Sequence, residues 1–189
     1  RELAKIKKLG VNNVILEASS HGLEQGRLNG LIFKTAIFTN FSQDHLDYHK
    51  NLKNYLNAKL ILFSKLLKKN HNMITDNEIP EFIKLKKITK FIPLNLLTIG
   101  KENSTIQFLS IKPEGDFQNI VFRNRGKNYK VKVPLIGLFQ IKNLFMAILA
   151  TITSGLNFKK TLHFVKKIKE VNGRLQLIKT TPNKTKIFI

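Results

Sequence analysis

Val14-Ile15-Leu16-Glu17-Ala18-Ser19-Ser20 and Thr35-Ala36-Ile37-Phe38-Thr39-Asn40 share one design: a short apolar run that gives way to a polar loop. Runs of this length suit strands buried on both faces, and a pair of them predicts a parallel sheet with helical crossovers. The ligand crevice of such a sheet lies at the carboxyl ends of its strands, so both polar loops fall where chemistry is expected. The expected fold class is therefore α/β, a mostly parallel sheet flanked by helices. Residues 91–134 read differently. Their short runs, such as Ile106-Gln107-Phe108-Leu109 and Tyr129-Lys130-Val131-Lys132-Val133, are broken by Pro113, Gly115 and Gly126, which predicts antiparallel hairpins and a small side sheet.

Helices are expected over 2–9, stopped by Gly10, over 52–69, over 139–155 ending at Gly155, and over 158–170. A last strand is expected after Gly173-Arg174, and Lys186-Ile187-Phe188-Ile189 reads as a strand cut off as it begins. The chain opens on Arg1 and its first methionine is Met73, so it reads as an internal piece of a longer protein. Its 189 residues suit one domain plus the start of another. The absence of cysteine excludes disulfide scaffolds, thiolate metal sites and thiol catalysis. No apolar run approaches the roughly 18 residues of a spanning helix, and no signal peptide is visible, so a cytoplasmic location without a membrane span is expected.

The formal net charge is +21, from 28 Lys and 5 Arg against 12 acidic residues. Base readout and phosphate forks favour Arg, and the chain is also crowded with 19 Asn. A lysine-rich solvated surface, with no specific nucleic-acid partner, accounts for this better than a dedicated polyanion face.

Three features ask for chemistry. Glu17 stands at the mouth of an apolar run, where a carboxylate must be hydrated, paired or metal-bound. Asn40-Phe41-Ser42-Gln43-Asp44-His45-Leu46-Asp47-Tyr48-His49 holds two carboxylates and two imidazoles just past a strand. It could bind a metal or move protons, or simply cap the next helix. His45 and His49 are four apart, but no Glu follows His45 as the zinc-protease motif requires. The third feature is Lys59. At about 100° per residue from Leu52, the apolar residues of 52–69 centre near ~15° and Lys59 falls at about −20°, inside their stripe. Such an ammonium either snorkels to an edge or is altered or bound in a polar site.

In this order and spacing the three features resemble the central domain of the Mur ligases. Glu17-Ala18-Ser19-Ser20-His21-Gly22-Leu23-Glu24-Gln25-Gly26-Arg27 is similar to that family's E-[VA]-S-S-H-x-L-x-Q-x-R, and Phe38 to His49 to its F-T-N-L-S-x-D-H-L-D-Y-H. Ala58-Lys59 falls at the carboxylated lysine, Gly137-Leu138-Phe139-Gln140-Ile141-Lys142-Asn143 resembles the G-x-F-N-x-x-N turn, and Gly173-Arg174 resembles G-R-[ML]. The S-S-H form points to the branch that adds the third peptide residue. The resemblance implies a P-loop-NTPase-like domain over 1–179, with 180–189 beginning a connection to a further domain.

It also implies ATP-driven amide formation through an acyl phosphate. The third amino acid, meso-diaminopimelate or L-lysine, would be added to UDP-N-acetylmuramoyl-L-alanyl-D-glutamate in peptidoglycan synthesis. Glu17 and His45 would hold Mg²⁺, and Lys59 would carry a CO₂-derived carbamate that helps order a second metal ion. Ser19, Gln25 and Arg27 would bind the UDP-N-acetylmuramoyl-dipeptide. Asn143 and Gln140 would approach the adenine and Arg174 the ATP, with Gln140 standing where the family has Asn. The phosphate-cradling G-x-x-x-x-G-K-[ST] is not in the chain and is expected before Arg1; the amino-acid-selecting domain is expected after Ile189. Turnover by residues 1–189 alone is therefore not expected. The competing readings are another ATP-dependent ligase of the Mur or folylpolyglutamate type, and a basic polyanion-binding module on the same fold.

Overall fold

The computed structural model describes residues 2–169, 177–181, 183 and 186–188. One six-stranded sheet organises them, in the order β1 (Thr35–Phe38), β2 (Asn72–Asp76), β3 (Asn95–Gly100), β4 (Ile106–Glu114), β5 (Phe117–Asn124), β6 (Lys127–Val133). The first four strands run parallel, and β4, β5 and β6 form an antiparallel meander. The meander is the antiparallel part expected from 91–134, but it continues the main sheet and forms no separate side sheet, and β3, within that range, runs parallel. The meander joins the parallel part through only two residue pairs, Ile99–Ile106 and Gly100–Gln107.

The strand period of two sorts the core. Ala36, Phe38 and Met73 face one side and pack with Leu56, Phe63, Leu67 and Leu85. These come from or follow α4 (Leu52–Lys65) and α5 (Phe82–Phe91). Ile74 and Ile99 face the other side and pack with Ile141, Leu144, Phe145 and Ile148 of α6 (Leu138–Thr153). Phe145 also meets Phe108 and Phe122 edge-on at 5.0 and 4.8 Å, so one helix binds the parallel strands and the meander into a single core. α7 (Phe158–Val165) packs on α6, and β7 (Leu177–Thr180) pairs antiparallel with β8 (Lys186–Phe188).

The direction of α6 is fixed at both ends. Thr153, its last residue, shares a hydroxyl hydrogen bond of 3.2 Å with Thr35 at the start of β1. Lys142, in its second turn, donates to Asp76 at the end of β2. The first turn of α6 therefore lies at the carboxyl edge of the parallel strands, the edge from which residues 39–49 leave β1.

Two expectations are corrected in detail. Val14-Ile15-Leu16 forms no strand: Ile15 is 99% exposed and its neighbours are also exposed. Among the described residues the run pairs with no strand, and three residues cannot hold an extended conformation alone. The helix expected over 52–69 ends at Lys65, although Leu66 and Leu67 stay buried beyond it. α1 (Glu2–Lys8), with Gly10 at φ 72° behind it, and α6, with Gly155 at φ 98°, stop where expected. Sequence reading did not find β2 or α5.

The start of α4 matters because this helix carries Lys59. Asn51 is its N-cap, and the side-chain oxygen accepts from Asn54 N at 2.9 Å. Asn51→Ala is expected to lower folding stability by about 1 kcal/mol, read as a lower denaturation midpoint with an unchanged slope.

Candidate active site

Residues 17–27 and 38–49 are packed together by a set of rings and hydrogen bonds. Ser19 caps α2 (Ser20–Glu24), its hydroxyl accepting from Gly22 N at 3.1 Å. Gly22 is buried, and a Cβ there would lie 3.1 Å from Ser19 Oγ and 3.7 Å from Arg27 Cδ. The missing side chain thus lets Ser19 and Arg27 close around one turn, with Arg27 N donating to Gly22 O at 2.8 Å. Gln25 Nε2 donates to Tyr48 Oη at 3.2 Å, which ties this turn to α3 (Leu46–His49).

His45 heads α3 in the left-handed region, at φ 53°. A side chain rarely adopts that conformation, and it costs about 1 kcal/mol or more. Asp44 supports it: one carboxylate oxygen accepts from His45 N at 2.8 Å and the other lies 3.4 Å from His45 Nε2. The His45 ring meets His21 edge-on at 4.9 Å and Tyr55 at 5.9 Å.

Lys59 lies on the inner side of α4, half-buried, as the helical angle predicted. Its Nζ sits 5.2 Å from the ring centre of Tyr55 and 5.7 Å from that of Phe38. Burial pushes its pKa below the ordinary lysine value, against the opposing charges of Asp44 and Glu17. Tyr55 is raised, by burial first and then by Asp44. His45 and Lys59 thus share Tyr55 as a neighbour, and the carboxylates of Asp44 and Glu17 act on the lysine. Glu17 itself is exposed on the irregular segment before α2. Among the described residues no three His, Asp or Glu side chains converge as a metal cage.

On the same sheet edge, Gly137 at φ 90° turns the chain into α6. Gln140 is buried and Asn143 is exposed. Between them Lys142 points to the sheet, 2.5 Å from Asp76 and 3.2 Å from Glu78. Arg174 and its neighbours Asn172 and Gly173 lie outside the described residues.

Of the predicted site residues, the structure brings Ser19, Gln25 and Arg27 onto one turn and His45 and Lys59 around one tyrosine. Asn143 stands in the second turn of α6, at the same edge. Sequence reading gave no joining role to Ser20, His21, Glu24, Tyr48 and Tyr55, and took His49 only as a possible ligand or proton carrier beside His45. Their signal was present, since Tyr55 shares the apolar stripe of α4 and His49 repeats His45 at a helical spacing, but the hydrogen bonds that join Gln25 to Tyr48 and Ser20 to His49 span 23 and 29 residues.

The UDP-N-acetylmuramoyl-L-alanyl-D-glutamate–2,6-diaminopimelate ligase of Rickettsia bellii is 38% identical over 186 residues, 98% of this chain and 38% of that protein. A solved structure of a ligase of the same description superposes with a TM-score of 0.84 at 30% identity, covering 94% of this chain and 37% of the other. The MurF ligase from Thermotoga maritima in complex with ADP shares the fold, with a TM-score of 0.68 at 17% identity over 86% of this chain and 36% of the other. The chain thus spans well under half the length of these relatives. The Mur ligase middle domain model matches residues 1–151, so the chain belongs to the Mur ligase family.

Proposed function

We propose that this chain is the ATP- and acceptor-binding part of a ligase that joins 2,6-diaminopimelate to UDP-N-acetylmuramoyl-L-alanyl-D-glutamate in peptidoglycan synthesis. Residues 1–179 would be its central domain and 180–189 the connection to the next. The description shared by the relatives supports the acceptor and the diamino acid. A cytoplasmic reaction follows from the reading, since ATP and a UDP-linked acceptor must meet there.

The observation that carries the proposal is Lys59. A lysine held among rings, with a lowered pKa and two carboxylate charges acting on it, is arranged for more than solubility. Burial favours the neutral amine. That amine can add to the carbon of CO₂ and release a proton, which turns a cationic side chain into a carbamate anion with two acceptor oxygens.

Glu17 and the carbamate would supply the oxygen donors that magnesium prefers. Glu17 offers one carboxylate and His45 one imidazole, and Mg²⁺ keeps several waters and needs only one or two protein carboxylates beside substrate phosphates. A bound magnesium ion would neutralise the charge of the phosphates during transfer. ATP would phosphorylate the acceptor's carboxylate, and the amine of the diamino acid would displace phosphate from the acyl phosphate. The chain's own part is to hold and orient. Ser19, Gln25 and Arg27 would grip the acceptor, while Asn143, Gln140 and Arg174 would bind the nucleotide.

The test is an assay of the full polypeptide that carries this chain. Phosphate release should require ATP, Mg²⁺, the UDP-muramoyl-dipeptide and diaminopimelate together. Release with a folate and glutamate instead, and none with the muramoyl acceptor, would transfer the chain to the folylpolyglutamate type. No release with either, beside salt-sensitive RNA binding unaffected by Glu17→Ala and Lys59→Ala, would favour a polyanion-binding module.

A further inference from the structure

His49 is the most enclosed polar side chain of the candidate site, with none of its ring exposed, and the roles proposed above leave it unused. It stands at the end of α3, and both ends of α2 and one face of α4 close on it. Its Nε2 shares a hydrogen bond of 2.9 Å with Ser20 Oγ, at the start of α2. Its Nδ1 lies 3.2 Å from Glu24 Oε2, at the end of α2, close but off the line of a hydrogen bond. Its ring stacks on Tyr55 of α4 at 5.2 Å between centres, one helical turn before Lys59. His49 N donates back to His45 O at 3.0 Å.

The order serine, histidine, carboxylate has the spacing of a hydrolase relay. Ser20, however, is 4% exposed, so no substrate carbonyl can reach its hydroxyl. Contacts that cannot attack can still position. α2 is the turn that carries Ser19 before it and Gln25 and Arg27 after it, and it has only five residues. So short a helix does not hold itself, and its place depends on tertiary contacts. His49 supplies contacts at both of its ends from the segment that also carries His45.

We infer that His49 is a positioning residue: it fixes the turn 19–27 against the His45 loop and the Lys59 helix, and so sets where a bound acceptor meets the phosphorylating site. The acceptor part of this inference rests on the ligase reading. The fixing of the turn does not.

Two measurements on the full polypeptide separate these parts. The first is amide hydrogen exchange. His49→Ala and the milder Ser20→Ala should speed exchange at Leu23, Gln25 and Arg27, whose amides close this turn, while β4 to β6 keep their protection. The second is kinetics. His49→Ala should raise KM for the muramoyl acceptor about tenfold, with KM for ATP unchanged and a smaller change in kcat. His49→Gln, which can still reach Ser20, should recover most of the loss.

Unchanged exchange in 19–27 would overturn the positioning role whatever the enzyme's activity. Equal increases of both KM values, with no recovery by glutamine, would reduce His49 to a packing residue. A wild-type protein that does not turn over the muramoyl acceptor would instead sink the ligase reading and the acceptor part with it. The exchange result would still decide the turn.

Discussion

Lys59→Ala in the full polypeptide should lower kcat at least about 100-fold while the protein stays folded. The size follows from removing a charge-organising group at a phosphoryl-transfer site, where single preorganised contacts are worth about 10²–10³ in rate. The folded state should not suffer, for a reason that follows from the burial of the ammonium. A lysine whose folded pKa is depressed carries a burial penalty when charged. That penalty is full below the folded pKa and disappears as pH rises past the unfolded value of 10.5. Replacing Lys59 by an apolar residue removes the penalty at neutral pH. The denaturation midpoint of Lys59→Leu should therefore equal or exceed that of the wild type.

Activity and stability are thus expected to move apart, which a merely structural lysine would not produce. The carbamate adds a second handle. Wild-type turnover should fall in CO₂-depleted buffer and return with bicarbonate at fixed pH. Lys59→Ala should show no bicarbonate response. Full activity in Lys59→Ala would end the proposal for this lysine.

The same residue shows why part of this site was legible in the sequence. A helix has one period, so an ammonium inside an apolar stripe can be located from spacing alone, and the ring of Tyr55, on the same stripe, lies beside it. Strands gave a weaker signal. Val14-Ile15-Leu16 is as apolar as a buried strand, but a strand exists only with a ladder partner, and apolarity carries no information about partners. β2 failed in the opposite direction. Only Met73 and Ile74 of its five residues are apolar, yet Thr75 and Asp76 are buried too, because Thr75 donates to Phe38 O and Asp76 meets Lys142. Buried polar residues look like loop residues until their partners are known. His49 is the same case: near His45 in sequence it reads as a second ligand, and only the fold places Ser20 and Tyr55 around it.

Lys142→Met is the second large effect, and it bears on stability. Asp76 ends β2 with 1% of its surface exposed. One carboxylate oxygen accepts from Glu78 N at 2.8 Å and the other takes the ammonium of Lys142. Burial alone would push the lysine's pKa down; the hydrogen bond and charge of Asp76, then those of Glu78, outweigh it and leave it raised. Methionine fills similar space but leaves a buried carboxylate without its counter-charge. Breaking a buried pair in this way costs about 3–5 kcal/mol. Here the lysine side chain is 21% exposed, so water softens the loss, and about 2–4 kcal/mol is expected in denaturant unfolding.

The sign of the pH dependence is set by the raised pKa. The pair's contribution is fully present below the unfolded lysine value of 10.5 and is lost only as pH climbs through the folded value above it. The gap between wild type and Lys142→Met should therefore hold across neutral pH and close in alkali. Asp76→Leu with Lys142→Met should recover much of the loss, because an apolar pair leaves no charge stranded. Equal midpoints for wild type and Lys142→Met would show that the pair contributes nothing. The contact also pins the start of α6, which bears Gln140 and Asn143, to the carboxyl edge of the sheet, so the energy that holds this edge together and the placement of the proposed nucleotide contacts depend on one ammonium.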